Sequence, residues 1–457
     1  MGHNDLSIDL LVSKAQKAAQ EYLKLTQQDV DKIVKAMADA AFENAEYLAE
    51  LAVAETKRGN IPDKIIKNKF ASAVVYESIK DEQTVGKLKE DMPNGYLEIA
   101  EPVGMVAGIT PVTNPTSTVI FKAIICAKTR NPIIFAFHPG AQESCVATAK
   151  ILKQAALKAG APDNCISWIE LPSIDATTCL MNHDWVNIVL ATGGSGMVKA
   201  AYSTGKPALG VGPGNVPCYV ESSADLTQAC KDIVSSKTFD NGMICASEQS
   251  VVVDAKISKD FEKEMVLNGC MFLNAEQIHK LSKLVVNDVT HMINPFVVGK
   301  TAFQIAQLAG IDVPENTKIL VAKINGVGND FPLSIEKLSP ILAYYVTDTI
   351  DEAISLCGKI LSYNGLGHTA VIHSKNDDLI LEFSKAMNVS RVVVNSPSSQ
   401  GAIGGLYNVG VPSMTLGCGA YGKNSTSDNV SVSHLLNIKR IYYRKENPLT
   451  LGLIAGS

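Results

Sequence analysis

Apolar positions along residues 7–58 recur at helical spacing. Leu10, Leu11, Ala15, Ala18, Ala19 and Leu23 form one set, and Val30, Ile33, Val34 and Met37 a second. That period predicts amphipathic helices on the surface of a larger body. Residues 86–102 alternate instead, in two short runs around Pro93-Asn94-Gly95, which predicts a β-hairpin. From about residue 103 strands and helices take turns. Strands are expected at 104–109, 132–137, 166–171 and 186–191. Helices are expected at 116–128, 142–159, about 174–182 and after Gly193-Gly194-Ser195-Gly196. Strands alternating with helices predict a parallel, doubly wound α/β sheet. The rhythm restarts at Val216, with a strand at 218–220, a helix led by Ser223-Ala224-Asp225, and a strand at 251–253. A second α/β domain is expected over 214–405, after a first over 1–213. Residues 406–457 hold Gly/Asn turns and a strand-like run at 438–443, which should return to the first domain or meet a partner subunit. No repeat or low-complexity segment interrupts the pattern.

Composition narrows the class. Hydrophobic residues make up 46% and charged residues 19%, the balance of a soluble globular enzyme. The formal net charge is −5, and no basic cluster stands out, so nucleic acid is not an expected partner. No secretory pattern opens the chain, and its longest apolar runs are far too short to span a bilayer. None of the ten cysteines forms a Cys-x-x-Cys pair, which argues against zinc and against a disulfide scaffold. Reduced thiols in the cytoplasm are the expectation. His368 and His373 stand five positions apart, not a zinc spacing, so no metal is expected.

One cysteine has a different setting. Cys245 follows Asn241-Gly242, a pair suited to end a helix through left-handed backbone, and precedes the strand at 251–253. It therefore sits on a loop at a sheet edge, where a thiolate can attack a carbonyl. On composition alone an inert buried cysteine is the commoner outcome.

The stretch DNGMICASEQSVVV around Cys245 resembles the nucleophile segment in the aldehyde dehydrogenase half of bifunctional aldehyde-alcohol dehydrogenases. EPVGMVAGITPVTNPTSTVIFK, ATGGSGMVKAAYSTGKPALGVGPGN, EKLSPILA, GLGHTA and SSQGAIGGLYN recur in that family in the same order, from about residue 100 to 440. The resemblance implies an aldehyde dehydrogenase-like fold: two doubly wound α/β domains, NAD-binding and catalytic, with the hairpin at 86–102 serving oligomerisation. It also implies that the thiolate of Cys245 adds to an aldehyde, that hydride passes to NAD, and that a thioester remains on the sulfur. A homodimer or homotetramer is expected.

Further roles follow from the same resemblance. The Asn114 amide, with the backbone N–H of Cys245, would hold the oxyanion of the tetrahedral adduct. Read alone, Asn114 is better taken as a cap for the following helix. Gly193 and Gly194 lie between a strand and a helix, where a phosphate sits well, although a tight turn reads the same way. Thr110, Pro111, His138, Pro139 and Gly212 join the cofactor side, and Glu336 would hold the nicotinamide ribose, though alone it reads as a solvated acid. Ala141 stands where the hydrolytic branch carries an acid that repels a 2′-phosphate, so NAD is expected with NADP as second candidate. His368, between glycines, could exchange a proton with a thiol or be a structural histidine.

The hydrolytic branch carries a glutamate that activates water. Here the matching position is Val211, which lies 34 positions before Cys245 as in that branch. Valine takes no proton, so the thioester should await coenzyme A, with Glu248 as a conceivable substitute base. The expected reaction is aldehyde + CoA + NAD⁺ to acyl-CoA + NADH, with acetaldehyde first and propionaldehyde, butyraldehyde or succinate semialdehyde as alternatives. This sequence holds no alcohol dehydrogenase half, so alcohol formation is not expected. The rival expectations are a glutamyl-phosphate-reductase-like enzyme and a non-catalytic assembly protein of the same fold.

Overall fold

A computed structural model of the chain describes residues 3–447 together with 450, 453 and 454. The helices His3–Tyr22, Gln27–Glu43 and Ala45–Thr56 open it. In the first, the buried stripe runs through Ile8, Val12, Ala15, Ala18 and Tyr22, while Leu10 and Leu23 stay exposed. The helix is where its period predicts, but turned. Ile8, Val12 and Ala15 pack on a sheet face built from Ile134, Ala136 and Val189. A fourth helix, Ile61–Lys69, which the apolar pattern did not reveal, runs into a π-helical turn at Phe70–Val74.

The predicted hairpin forms from β1 (Gly86–Asp91) and β2 (Tyr96–Pro102), with Gly95 left-handed at the turn. The strand-like run near the C-terminus is β15 (Leu436–Tyr442), which pairs antiparallel with β2. These three strands form a sheet of their own.

A five-stranded parallel sheet follows: β3 (Val106–Ile109), β4 (Ile133–Ala136), β5 (Ile166–Trp168), β6 (Ile188–Thr192) and β7 (Ala208–Val211). Its order is β5-β4-β3-β6-β7. The chain leaves β3 on one side and returns on the other. That places a topological switch point between β3 and β6, with a crevice beyond their C-terminal ends.

The second sheet holds β8 (Val216–Val220), β9 (Glu248–Asp254), β10 (Cys270–Phe272), β11 (Ile319–Lys323), β12 (Ile341–Thr347), β13 (Gly367–His373) and β14 (Val389–Val394). Its order is β10-β11-β12-β9-β8-β13-β14, and every pairing is parallel. β8, β9 and β13 are buried along their whole length, as strands covered on both faces must be.

Only residues 212–215 connect β7 to β8. The C-terminal edge of the first sheet therefore abuts the N-terminal edge of the second. Among the described residues no helix is long and apolar enough to cross a membrane.

Candidate active site

The meeting of these two edges collects most of the candidate residues. From the first sheet come Thr110 and Pro111 after β3, His138 and Pro139 after β4, Gly193 and Gly194 after β6, and Gly212 after β7. From the second come Cys245 ahead of β9, Glu336 ahead of β12, and His368 at the start of β13.

The loop that presents Cys245 has unusual backbone. The helix Leu226–Thr238 ends, and Asp240, Asn241 and Gly242 are all left-handed, with φ of 47°, 55° and 75°. The left-handed end expected at Asn241-Gly242 thus begins one residue earlier. For an aspartate that conformation costs energy unless its surroundings fix it. Here Asp240 is fully buried and held by Lys64, Lys67 and the Asn60 N–H, while its own N–H donates to Asp63. The chain then turns tightly around the cysteine, with the Ser247 N–H donating to the Ile244 carbonyl.

Gly214 is the pivot of the site. A Cβ there would collide with the carbonyl oxygen of Cys245 and lie 3.2 Å from the His368 ring. Its N–H donates to Glu336 Oε1 at 3.0 Å. One residue without a side chain thus lets Cys245, His368 and Glu336 converge.

Their protonation follows from this enclosure. Burial pushes the Cys245 thiol up to about 12, Glu336 and Cys418 push it the same way, and Arg391 opposes them. Burial raises Glu336 to about 7 against the Gly214 N–H and Lys237. Glu336 is therefore not a freely solvated acid. His368 is fully buried and pushed down to about 3 by burial and by Arg391, which donates to its backbone carbonyl at 2.8 Å. Its Nδ1 meets Thr369 Oγ1 at 2.9 Å, and its buried Nε2 has no partner.

Without cofactor, Cys245 thus rests as a thiol. Its alkylation by iodoacetamide should accelerate about tenfold per pH unit from pH 7 to 9, because the thiolate fraction grows so below its pKa. A rate already level by pH 8 would mean a far lower thiol pKa.

Asn114 occupies the N-cap position of the helix Pro115–Lys128, but its side chain makes no capping hydrogen bond. Its Oδ1 accepts from Lys67 Nζ at 2.6 Å, and its Nδ2 faces the Met243 carbonyl at 3.4 Å, two residues from Cys245. The capping alternative fails on this geometry.

On the cofactor side, Gly194 caps the helix Ser195–Tyr202 without any side-chain bond, and a Cβ at Gly194, Gly196 or Gly212 would meet nothing within 4 Å. This edge therefore keeps free helix N–H groups and open space, a surface suited to a dinucleotide phosphate. Thr110 turns its hydroxyl inward toward Cys145 and leaves only backbone to the crevice. His138 is exposed, and its Nδ1 accepts from the Gly140 N–H. Ala141 cannot cap the helix Gln142–Ala159. Glu55 does so instead, accepting from Glu143 N and Ser144 N at 2.8 Å.

Val211 closes β7 as a buried apolar side chain. Glu248 is fully buried, with Oε1 taken by the Ser398 N–H. The sequence patterns missed Lys64, Lys67, Asp240, Gly214 and Arg391.

A dinucleotide-type crevice facing a loop cysteine across two parallel sheets is an aldehyde dehydrogenase arrangement. The chain belongs to the aldehyde dehydrogenase family, whose sequence pattern matches residues 3–268. It is 50% identical to an aldehyde-alcohol dehydrogenase of Streptococcus pneumoniae over 89% of this chain and 47% of that protein. It therefore spans about half the length of such relatives. The crystal structure of an acetylating aldehyde dehydrogenase from Geobacillus thermoglucosidasius is 47% identical, covers 97% of this chain and 98% of its own, and superposes with a TM-score of 0.95. A propionaldehyde dehydrogenase from Rhodopseudomonas palustris, solved with bound CoA and an acylated cysteine, is 28% identical, covers 95% of this chain and 97% of its own, and has a TM-score of 0.84.

Proposed function

We propose that the chain is a CoA-acylating aldehyde dehydrogenase that interconverts aldehyde, CoA and NAD⁺ with acyl-CoA and NADH, acetaldehyde being its aldehyde. The observation that carries this reading is Val211, a buried apolar residue at the position matched to the water-activating glutamate of the hydrolytic branch.

Cys245 loses its proton to solvent and adds as thiolate to the aldehyde carbon. The Asn114 Nδ2–H and the Cys245 backbone N–H hold the oxygen as it becomes negative. Thr110, Pro111, His138, Pro139, Gly193, Gly194, Gly212 and Glu336 hold the dinucleotide. When bound, NAD supplies the hydride acceptor. The thioester left on Cys245 passes to the thiol of CoA, because no side chain at 211 activates water. Neutral His368 offers its unpartnered Nε2 as a hydrogen-bond acceptor to that thiol, whose proton ends on the departing Cys245 sulfur.

NAD is the first choice of cofactor. Glu55, capping the helix beyond His138, supplies the negative charge that Ala141 lacks and disfavours a 2′-phosphate. Arg58, close enough to depress His138, carries the opposite charge and keeps NADP as the second candidate. The enzyme is proposed to work in the cytoplasm as a homodimer or homotetramer. The three-stranded sheet, whose outer strand exposes Tyr442, would be its contact surface.

Absorbance at 340 nm tests the reading directly. Acetaldehyde, NAD⁺ and CoA together should yield NADH and acetyl-CoA, and omitting CoA should stop turnover. Phosphate replacing CoA would instead indicate a phosphate-accepting reductase, and silence under every combination a non-catalytic role.

A further inference from the structure

The buried charges behind Asn114 belong to neither sheet. The helix Ile61–Lys69 contributes Lys64 and Lys67, both almost fully buried. Lys64 Nζ donates to the Thr113 carbonyl at 3.1 Å and to Asp240 Oδ2 at 3.0 Å. Lys67 Nζ donates to Asn114 Oδ1 at 2.6 Å and to the same Asp240 oxygen. The two lysines therefore tie the turn after β3 to the loop that leads to Cys245, across the seam between the sheets. Burying three charges is costly, and removing one member of such a group leaves the others uncompensated.

The chemistry of the contact to Asn114 is specific. A carboxamide presents an acceptor and a donor of nearly equal shape, and either face can point into a site. An ammonium group only donates. Lys67 can bond only the amide oxygen, so the amide nitrogen must face the other way, toward Met243 and the nucleophile loop. There its contacts are long, 3.2 Å to Thr113 Oγ1 and 3.4 Å to the Met243 carbonyl. A forming oxyanion would displace such weak partners readily. A flipped amide would present oxygen to that oxyanion and repel it.

We propose that Lys67 is a positioning residue for the reaction. Its ammonium locks the Asn114 amide with the nitrogen toward the nucleophile loop, and Asp240 ties that amide to the segment carrying Cys245. The inference rests on the oxyanion role proposed above for Asn114.

Four proteins test it in the full assay with acetaldehyde, NAD⁺ and CoA: wild type, Asn114→Ala, Lys67→Met and the double variant. Asn114→Ala should lower kcat roughly 100-fold, the usual loss for one oxyanion donor. Lys67→Met should lower kcat on the order of 10- to 100-fold, with the aldehyde KM little changed, because the flipped amide is lost to the transition state alone. The double variant should be no slower than Asn114→Ala, since the lysine acts only through the amide. A purely structural lysine would instead give losses that multiply. If Lys67→Met does not fold, Lys67→Gln takes its place, since a glutamine amide can donate or accept and so no longer fixes which face Asn114 presents, with the same expectation of non-additivity. A wild-type kcat in Asn114→Ala would remove the oxyanion reading and this inference together. Loss in Asn114→Ala with none in Lys67→Met, or multiplying losses, would overturn this inference alone.

Discussion

Cys245→Ala should abolish NADH formation from aldehyde and CoA, and equally the reverse reduction of acyl-CoA, in a protein that still folds. The other cysteines offer no substitute. Among the ten, all but Cys179 and Cys245 are buried, and Cys179 lies on the helix Ile174–Asn182, which packs on the N-terminal helix away from the cleft. Cys418 lies close enough to raise the Cys245 thiol, but it is buried, its thiol donates to the Leu416 carbonyl and the Gly212 N–H engages its sulfur. Alanine at 245 removes one sulfur from a partly buried position, so the stability loss should be about 1 kcal/mol. Activity assays beside a thermal melt decide the matter. A folded Cys245→Ala protein that still produces NADH in a CoA-dependent way would remove the cysteine from the mechanism.

Much of the framework was readable along the chain because its signals are local. The helix Gln142–Ala159 lies where the period predicts it, and β3, β4, β5 and β6 fall within the predicted runs to within two or three residues. Parallel strands buried on both faces are short apolar blocks between turn residues, and such blocks need no tertiary knowledge to find. The loop holding Cys245 was equally plain, because a helix end, Asn-Gly and a strand follow one another within a few residues.

The charged support was not readable, for a physical reason. Lys67 and Asp240 are 173 residues apart, and their contact exists only once the two sheet edges have met. A lysine on a short helix reads as solvated. The one local sign was that Lys64, Lys67 and Asn68 share a helical face, three and four positions apart. Gly214 was equally silent, since its need to be glycine comes from Cys245 and His368, far along the chain. The helix His3–Tyr22 shows the converse case. Its period was right, but Ile8, Val12 and Ala15 rather than Leu10 face the sheet, and periodicity alone cannot choose the face that close packing favours.

Without CoA, enzyme mixed with NAD⁺ and aldehyde should release a burst of at most about one NADH per active site and then fall nearly silent. The reason lies in what surrounds the thioester. Val211 has no proton acceptor, and water at neutral pH is a poor nucleophile without one. Glu248, the substitute considered from sequence, is buried with one oxygen on the Ser398 N–H. The carboxyl that does bear on Cys245 is Glu336. It already accepts from the Gly214 N–H, and its pKa of about 7 leaves it partly protonated at neutral pH. Intact mass after the burst should show one acyl group on Cys245, and added CoA should restart turnover and remove it. Val211→Glu should raise hydrolysis to free acid if its carboxylate reaches a water beside the sulfur, but misplacement by an ångström would defeat the gain. The wild-type burst is therefore the decisive measurement. Sustained NADH with free acid as product, at a rate indifferent to CoA, would show that a base serves the thioester after all. A loss of that hydrolysis in Glu336→Gln, with the burst intact, would identify it as Glu336.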